Sequence, residues 1–156
     1  MIEEPPDGLP AVLMAEKSVI SSFMRQPGRF IGRSAAEGID AECFHLRRPL
    51  YDAVIEFHRA NPDAVEIDPV GFITGLQLSG QLDRCGGPSE VMDAWSYTHE
   101  LFDGWTLWTE QLREAKARRM AILSARRLSE ATTSTEAIEE LKTSLQALQG
   151  AITGKS

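Results

Sequence analysis

The chain closes on "GAITGKS", residues 150–156, and Gly154-Lys155-Ser156 has the form of the end of a phosphate-binding loop. Such a loop needs G-x-x-x-x-G-K-[ST] between a strand and a helix, because several backbone N–H groups must converge on the phosphates at that helix's N-terminus. Here only three residues separate Gly150 from Gly154, a helical segment precedes them, and no helix follows. The nucleotide reading therefore fails on spacing and on context. Cys43, His45, His58, Cys85 and His99 are the other residues with metal-ligating chemistry. Their spacing matches no closed four-ligand zinc pattern, and Cys85 stands apart in a glycine-rich turn. No G-x-S-x-G elbow is present to expose a serine nucleophile. The carboxylate pairs Glu3-Glu4 and Glu139-Glu140 fall in a tail and on a helix face, not in the desolvated cleft that acid–base work requires. The sequence is thus expected to be non-catalytic, with no cofactor and no metal.

Charge points to partners instead of substrates. A formal net charge of −7 gives no general attraction to polyanions, so nucleic-acid binding would need a local basic patch. One basic stretch exists: Arg113, Lys116, Arg118, Arg119, Arg126 and Arg127, relieved by Glu110 and Glu114. It can be a solvated face with i,i+4 pairing, such as Glu114 with Arg118, or a docking surface for an acidic protein. It lacks the interleaved aromatics on which single-stranded bases stack, and strong direct nucleic-acid binding is not expected.

The elements that would carry these residues read as helices throughout. Residues 1–9, "MIEEPPDGL", form an acidic, proline-rich, flexible lead. Leu13, Val19, Ile20, Phe23 and Met24 recur at helical intervals and predict a helix over about 10–26. "RFIGRSAAEG" predicts a shorter one stopped by Gly38. Asp40 caps one turn, "DAECF", and Pro49 opens the helix "PLYDAVIEFHRAN". Asp68-Pro69 caps and starts "VGFITGLQLSG", and Ser89 caps a further helix in "SEVMDAWSY". Residues 10–97 therefore make a helical globule of five to six short helices.

From 98 the texture changes to one long helix, beginning between 98 and 105 and running to about 130. Leu101, Trp105, Trp108, Leu112, Ala115, Arg119 and Ile122 fall at alternating steps of four and three, the seam of a helix packed along its length. "TTSTE" breaks it, with Thr133 and Glu136 in capping-box relation. Ile138, Leu141, Leu145, Leu148 and Ile152 form a second narrow stripe. The fold class is all-α, and 98–152 is expected to be a long two-helix antiparallel hairpin, followed by a tail or the start of a linker at 153–156. Two slender apolar edges call for a second hairpin from another chain. Self-association is assigned to Trp105, Trp108 and Leu112, and partner docking to Arg119, Ile122 and Leu128. The aromatic group of Trp95, Tyr97, Phe102, Trp105 and Trp108 is expected at the junction of globule and hairpin or in a chain–chain interface, where aromatics are enriched.

At 156 residues, 42% hydrophobic and 25% charged, the chain can bury one good-sized core. It has no export signal and no uncharged apolar run of the roughly 18–20 residues needed to cross a bilayer. A cytoplasmic protein is expected. Two cysteines in a reducing compartment are expected to stay unbridged.

In order and spacing, these features resemble the N-terminal domain of DnaB-type replicative DNA helicases. "LPAVLMAEKSVISSFM" is similar to the family's opening through Pro10, Ala15, Glu16, Ser18 and Val19. "DAECF" followed by "LYDAV" resembles its P-E-D-F turn and the next helix. "VEIDPVGFITGLQLSGQLDRCGG" matches its V-D-…-L-…-G-x-L-x-x-x-G-G run through Asp68, Leu76, Gly80, Leu82, Gly86 and Gly87, and "QLREAKARRMAIL" places Arg113, Glu114, Arg119 and Ile122 in register. The likeness spans about 9–152. Ile20-Ser21 stands where the family prefers Leu-Gly, and the P-x-A-A-N element before the hairpin is absent, so a divergent member is implied.

The resemblance implies hairpins that pair into dimers, three dimers forming a hexameric collar, and a primase or helicase loader docked on it. It also implies an ATPase motor beyond a linker, with ATP and Mg belonging only to that domain. The alternatives are a free-standing adaptor that mimics the collar and a primase helicase-binding domain.

Overall fold

A computed structural model describes residues 10–97, 104–130 and 135–153, without the side chains of 135–137 and 153. Among the described residues every regular element is helical: α1 (Pro10–Arg25), α2 (Pro27–Ala36), α3 (Arg48–Ala60), α4 (Pro69–Leu78), α5 (Gly87–Ser96), α6 (Trp105–Glu130) and α7 (Thr135–Thr153). Two single 3-10 turns, Ala41–Cys43 and Asp83–Cys85, join them. The all-α expectation holds over these residues. His99, Leu101, Phe102, the Thr133 cap and the "GKS" ending lie outside them.

Local chemistry sets most boundaries. Gly38 adopts a φ of 82° just past α2, a conformation that costs glycine nothing and other residues about 1 kcal/mol or more. Asp68 accepts from the N–H groups of Val70 and Gly71 at 3.3 and 3.2 Å, and Pro69 follows as the first helical residue. Asp40 accepts from Glu42 N at 3.0 Å. The start of α5 differs from expectation. Ser89 makes no cap; the helix begins at Gly87, after Gly86 with φ 96°, and Pro88 sits in its first turn. The left-handed glycine pair turns the chain sooner than a serine cap would.

The core is built around α1, whose Val19, Ile20, Phe23 and Met24 are fully buried. Phe30 of α2, Leu50 and Val54 of α3, Phe72 of α4 and Val91 and Ala94 of α5 close over it. The connection before α4 is strapped down, with Ile67 donating its N–H to Met24 O at 2.8 Å and the Trp95 indole donating to Ile67 O at 3.1 Å. Core packing also crosses the expected boundary at 98. α6 packs along α1, and Trp105 and Leu112 belong to the same buried cluster as α1–α5.

Candidate docking surface

The surface begins with a carboxylate in the core. Val12, Glu16, Val19 and Phe23 share one face of α1 by their steps of four, three and four, and all four are fully buried. Glu16 accepts the backbone N–H of His45 at 3.0 Å and of Arg47 at 2.9 Å, one on each oxygen. Burial raises its carboxyl above the ordinary value, opposed by the two N–H donors and by the charges of Arg47 and Arg119. Arg47 extends the clamp, donating to Leu13 O at 2.9 Å and pairing with Glu90 at 3.0 Å. The turn between α2 and α3 is thereby stapled to α1.

That turn faces the middle of α6. Glu42, Phe44, His45 and Arg48 on one side, and Lys116, Arg119, Met120 and Leu123 on the other, line a cavity of 390 Å³. Lys116 reaches Asp40 at 2.9 Å, Arg48 reaches Glu42 at 3.3 Å, and Arg119 donates to the Glu42 carbonyl. Phe44 is buried, whereas Leu123 is 50% exposed at the cavity's edge. The combination is an apolar wall under a rim with more cations than anions.

Beyond this point α6 changes role. Trp105, Thr109, Leu112 and Ala115 are buried, but among its later residues only Ser124 is. α7 packs against α6, and its buried side chain is Ser144, whose hydroxyl accepts from Arg127 at 3.1 Å. Leu141 and Leu148 of α7 are half-buried, whereas Ile122, Leu123 and Leu128 of α6 and Ile138, Leu145 and Ile152 of α7 are 39–54% exposed. Ile138, Leu145 and Ile152 share one stripe of α7 by their steps of seven, and an exposed apolar stripe marks an interaction site.

The six expected site residues separate accordingly. Trp105, Trp108 and Leu112, assigned from the seam to self-association, are turned into the chain's own body. Trp105 is 2% and Leu112 0% exposed, the Trp105 ring packs tilted against Phe30 with centroids 4.8 Å apart, and Trp108 is packed on the core from its edge. Their 4-3 spacing is real, but α1 and α2 of the same chain fill it. Arg119 is half-buried at the cavity, and Ile122 and Leu128 are exposed beyond it. Arg119, Ile122 and Leu128 thus lie in the C-terminal half of α6 at different angles around it, while Trp105 and Leu112 are in the core with Trp108 at its edge.

Leu123 was not singled out from the sequence, and Glu16 was named only as part of the family resemblance, with no role of its own. Leu123 falls off the seam, next to Ile122, and carries no signal of its own. Glu16 did carry one: a carboxylate on the same helical face as Val12, Val19 and Phe23. Among the described residues no three His, Cys, Asp or Glu side chains are grouped to hold a metal, and no helix is long and apolar enough to cross a membrane. No protein-family model matches the chain, and no curated protein matches it.

Proposed function

We propose that this chain is a non-catalytic self-association and partner-docking module of a replicative DNA helicase of the DnaB type, coupling the helicase to primase or a loader. The observation that carries the reading is the exposed apolar stripe of α7, whose Ile138, Leu145 and Ile152 face water while the helix packs on α6. Two helices joined this way act as a hairpin, and a second copy laid along them removes those residues from water. The motif order supports the same reading, because the residues that carry the resemblance have architectural work. Glu16 holds the 45–47 turn, Asp68 caps α4 and Gly86 sets the left-handed turn before α5. Self-association belongs to the α7 stripe of Ile138, Leu145 and Ile152, and a primase or loader docks on α6 near Arg119, Ile122 and Leu128.

Mass measured by light scattering over a range of concentrations tests the first part. A dimer or larger assembly that Leu145→Asp or Ile152→Asp weakens supports it, and a monomer at every concentration defeats it. Titration with the C-terminal region of a replicative primase tests the second, with Arg119→Glu and Leu128→Asp expected to lower affinity.

A further inference from the structure

We propose that the cavity between the α2–α3 turn and α6 is a docking site for residues 1–9 of the same chain. Ile2 would sit against Phe44, Met120 and Leu123, and Glu3 and Glu4 would face Arg48, Lys116 and Arg119. Four observations lead there.

The first is chemical match. The cavity offers an apolar wall and three cationic side chains, and "MIEEPPDGL" offers Ile2, Glu3, Glu4 and Asp7 with no lysine or arginine. On a chain of net charge −7 this is one of few places where an acidic segment meets a favourable local field.

The second is reach. The start of α1 is tied to the cavity's rim, because Leu13 O accepts from Arg47 and Glu16 accepts from His45 N at 2.9 and 3.0 Å. Pro10 stands six residues from Glu16, about 9 Å along a helix. Nine residues can extend up to about 30 Å, about three times that rise.

Third, the rim cations can turn to new carboxylates at little cost. The Arg48–Glu42 pair is 47% and 64% exposed and Lys116–Asp40 is 27% and 54% exposed. Pairs this open contribute about 0–1 kcal/mol.

Fourth, tethering decides in favour of the chain's own segment. A short linker holds it at an effective concentration of order millimolar. A contact too weak to bind a free peptide below about 100 µM therefore still closes within the chain. The inference concerns contacts inside one chain and stands whether or not α6 and α7 self-associate.

Amide NMR spectra of the full chain test it, with an arm-disabled variant, Ile2→Ser with Glu3→Ser and Glu4→Ser, and with a synthetic peptide MIEEPPDGL as probe. Circular dichroism verifies that the substitutions keep the fold. The signals of His45, Arg48, Met120 and Leu123 are expected to shift in the variant and to return towards their original positions as the peptide is added. The intact chain is expected to bind the peptide at least about tenfold more weakly, since its site is already filled. Leu123→Glu, which sets a carboxylate against the arm, should abolish peptide binding in the variant background. Unchanged cavity signals in the arm-disabled chain would overturn the proposal. So would shifts centred on another face, or cavity signals of the intact chain that move with its own concentration, which would assign the occupant to a second copy.

Discussion

The indole of Trp105 donates to the carboxylate of Glu37 at 3.1 Å, joining α6 to the end of α2 across 68 residues of sequence. Arg33 reaches the same carboxylate at 2.7 Å and lies 5.5 Å from the indole centre, and Arg113 donates to the Glu37 carbonyl at 3.1 Å. Trp105→Phe keeps most of the ring's burial against Phe30 and removes only the donor. It should cost about 1 kcal/mol, because Glu37 is open enough to rehydrate. Trp105→Ala should cost about 3–5 kcal/mol through the cavity it leaves. Urea unfolding measures both, and equal losses would show that the hydrogen bond, not the ring, holds the joint.

Leu112→Asp and Leu145→Asp should fail in different ways. Leu112 is fully buried, so a carboxylate there has no partner and unfolds the body. Leu145 is 47% exposed, so Leu145→Asp should leave the circular dichroism spectrum intact. It should weaken self-association by about 2 kcal/mol, the value of burying one leucine, or about thirtyfold in dissociation constant. Loss of the assembly by Leu112→Asp with the helical signal unchanged would return that residue to the interface.

Glu16 makes stability depend on pH in a definite direction. Its carboxyl is raised above the ordinary 4.5, first by burial, so the folded chain holds this proton more tightly than the unfolded one. The Glu16 contribution is therefore whole below about 4.5 and shrinks as pH rises through the raised value. Glu16→Gln does not titrate and leaves one of the His45 and Arg47 N–H groups facing an amide NH₂, at a cost of about 1–3 kcal/mol. The stability gap between the two proteins, measured by denaturant titration, should be widest near pH 4 and narrow towards pH 7. A gap that widens instead would mean that the two N–H donors and Arg47 outweigh burial.

Cys43 and Cys85 are free and buried, and burial pushes both thiols above their ordinary value. The thiolate is the reacting species, so both should be alkylated at least about a hundredfold more slowly in the folded chain than in denaturant, at a rate set by local opening. Rapid labelling of Cys43 under native conditions would place the 3-10 turn around it in frequent opening.

The parts of the fold that were legible in the sequence are those settled within a few residues. Asp68-Pro69 announces its helix because the cap and the constrained φ act locally, and Gly38 ends another for the same kind of reason. The Trp105, Trp108 and Leu112 seam was legible as a dry face, but periodicity says only which side avoids water, not whose atoms cover it. The chain's own α1 and α2 do so. Glu16 shows the converse. An acid on an apolar face is conspicuous, yet its donors, His45 N and Arg47 N, lie about thirty residues away and exist only once α1 and the turn meet. Likewise the cavity at Arg119 is made by two segments with no pattern in common.

One feature of α6 sets how the molecule answers to pulling. The same uninterrupted helix carries the Trp105 seat at one end and the Leu128 tip at the other, with neither proline nor glycine between them to serve as a joint. Load applied at the tip is met first by the clasps nearest it, Arg119 on the Glu42 carbonyl and Lys116 on Asp40, as at the fulcrum of a crowbar. Under load the first rupture should come there, and the Trp105 socket should give way last.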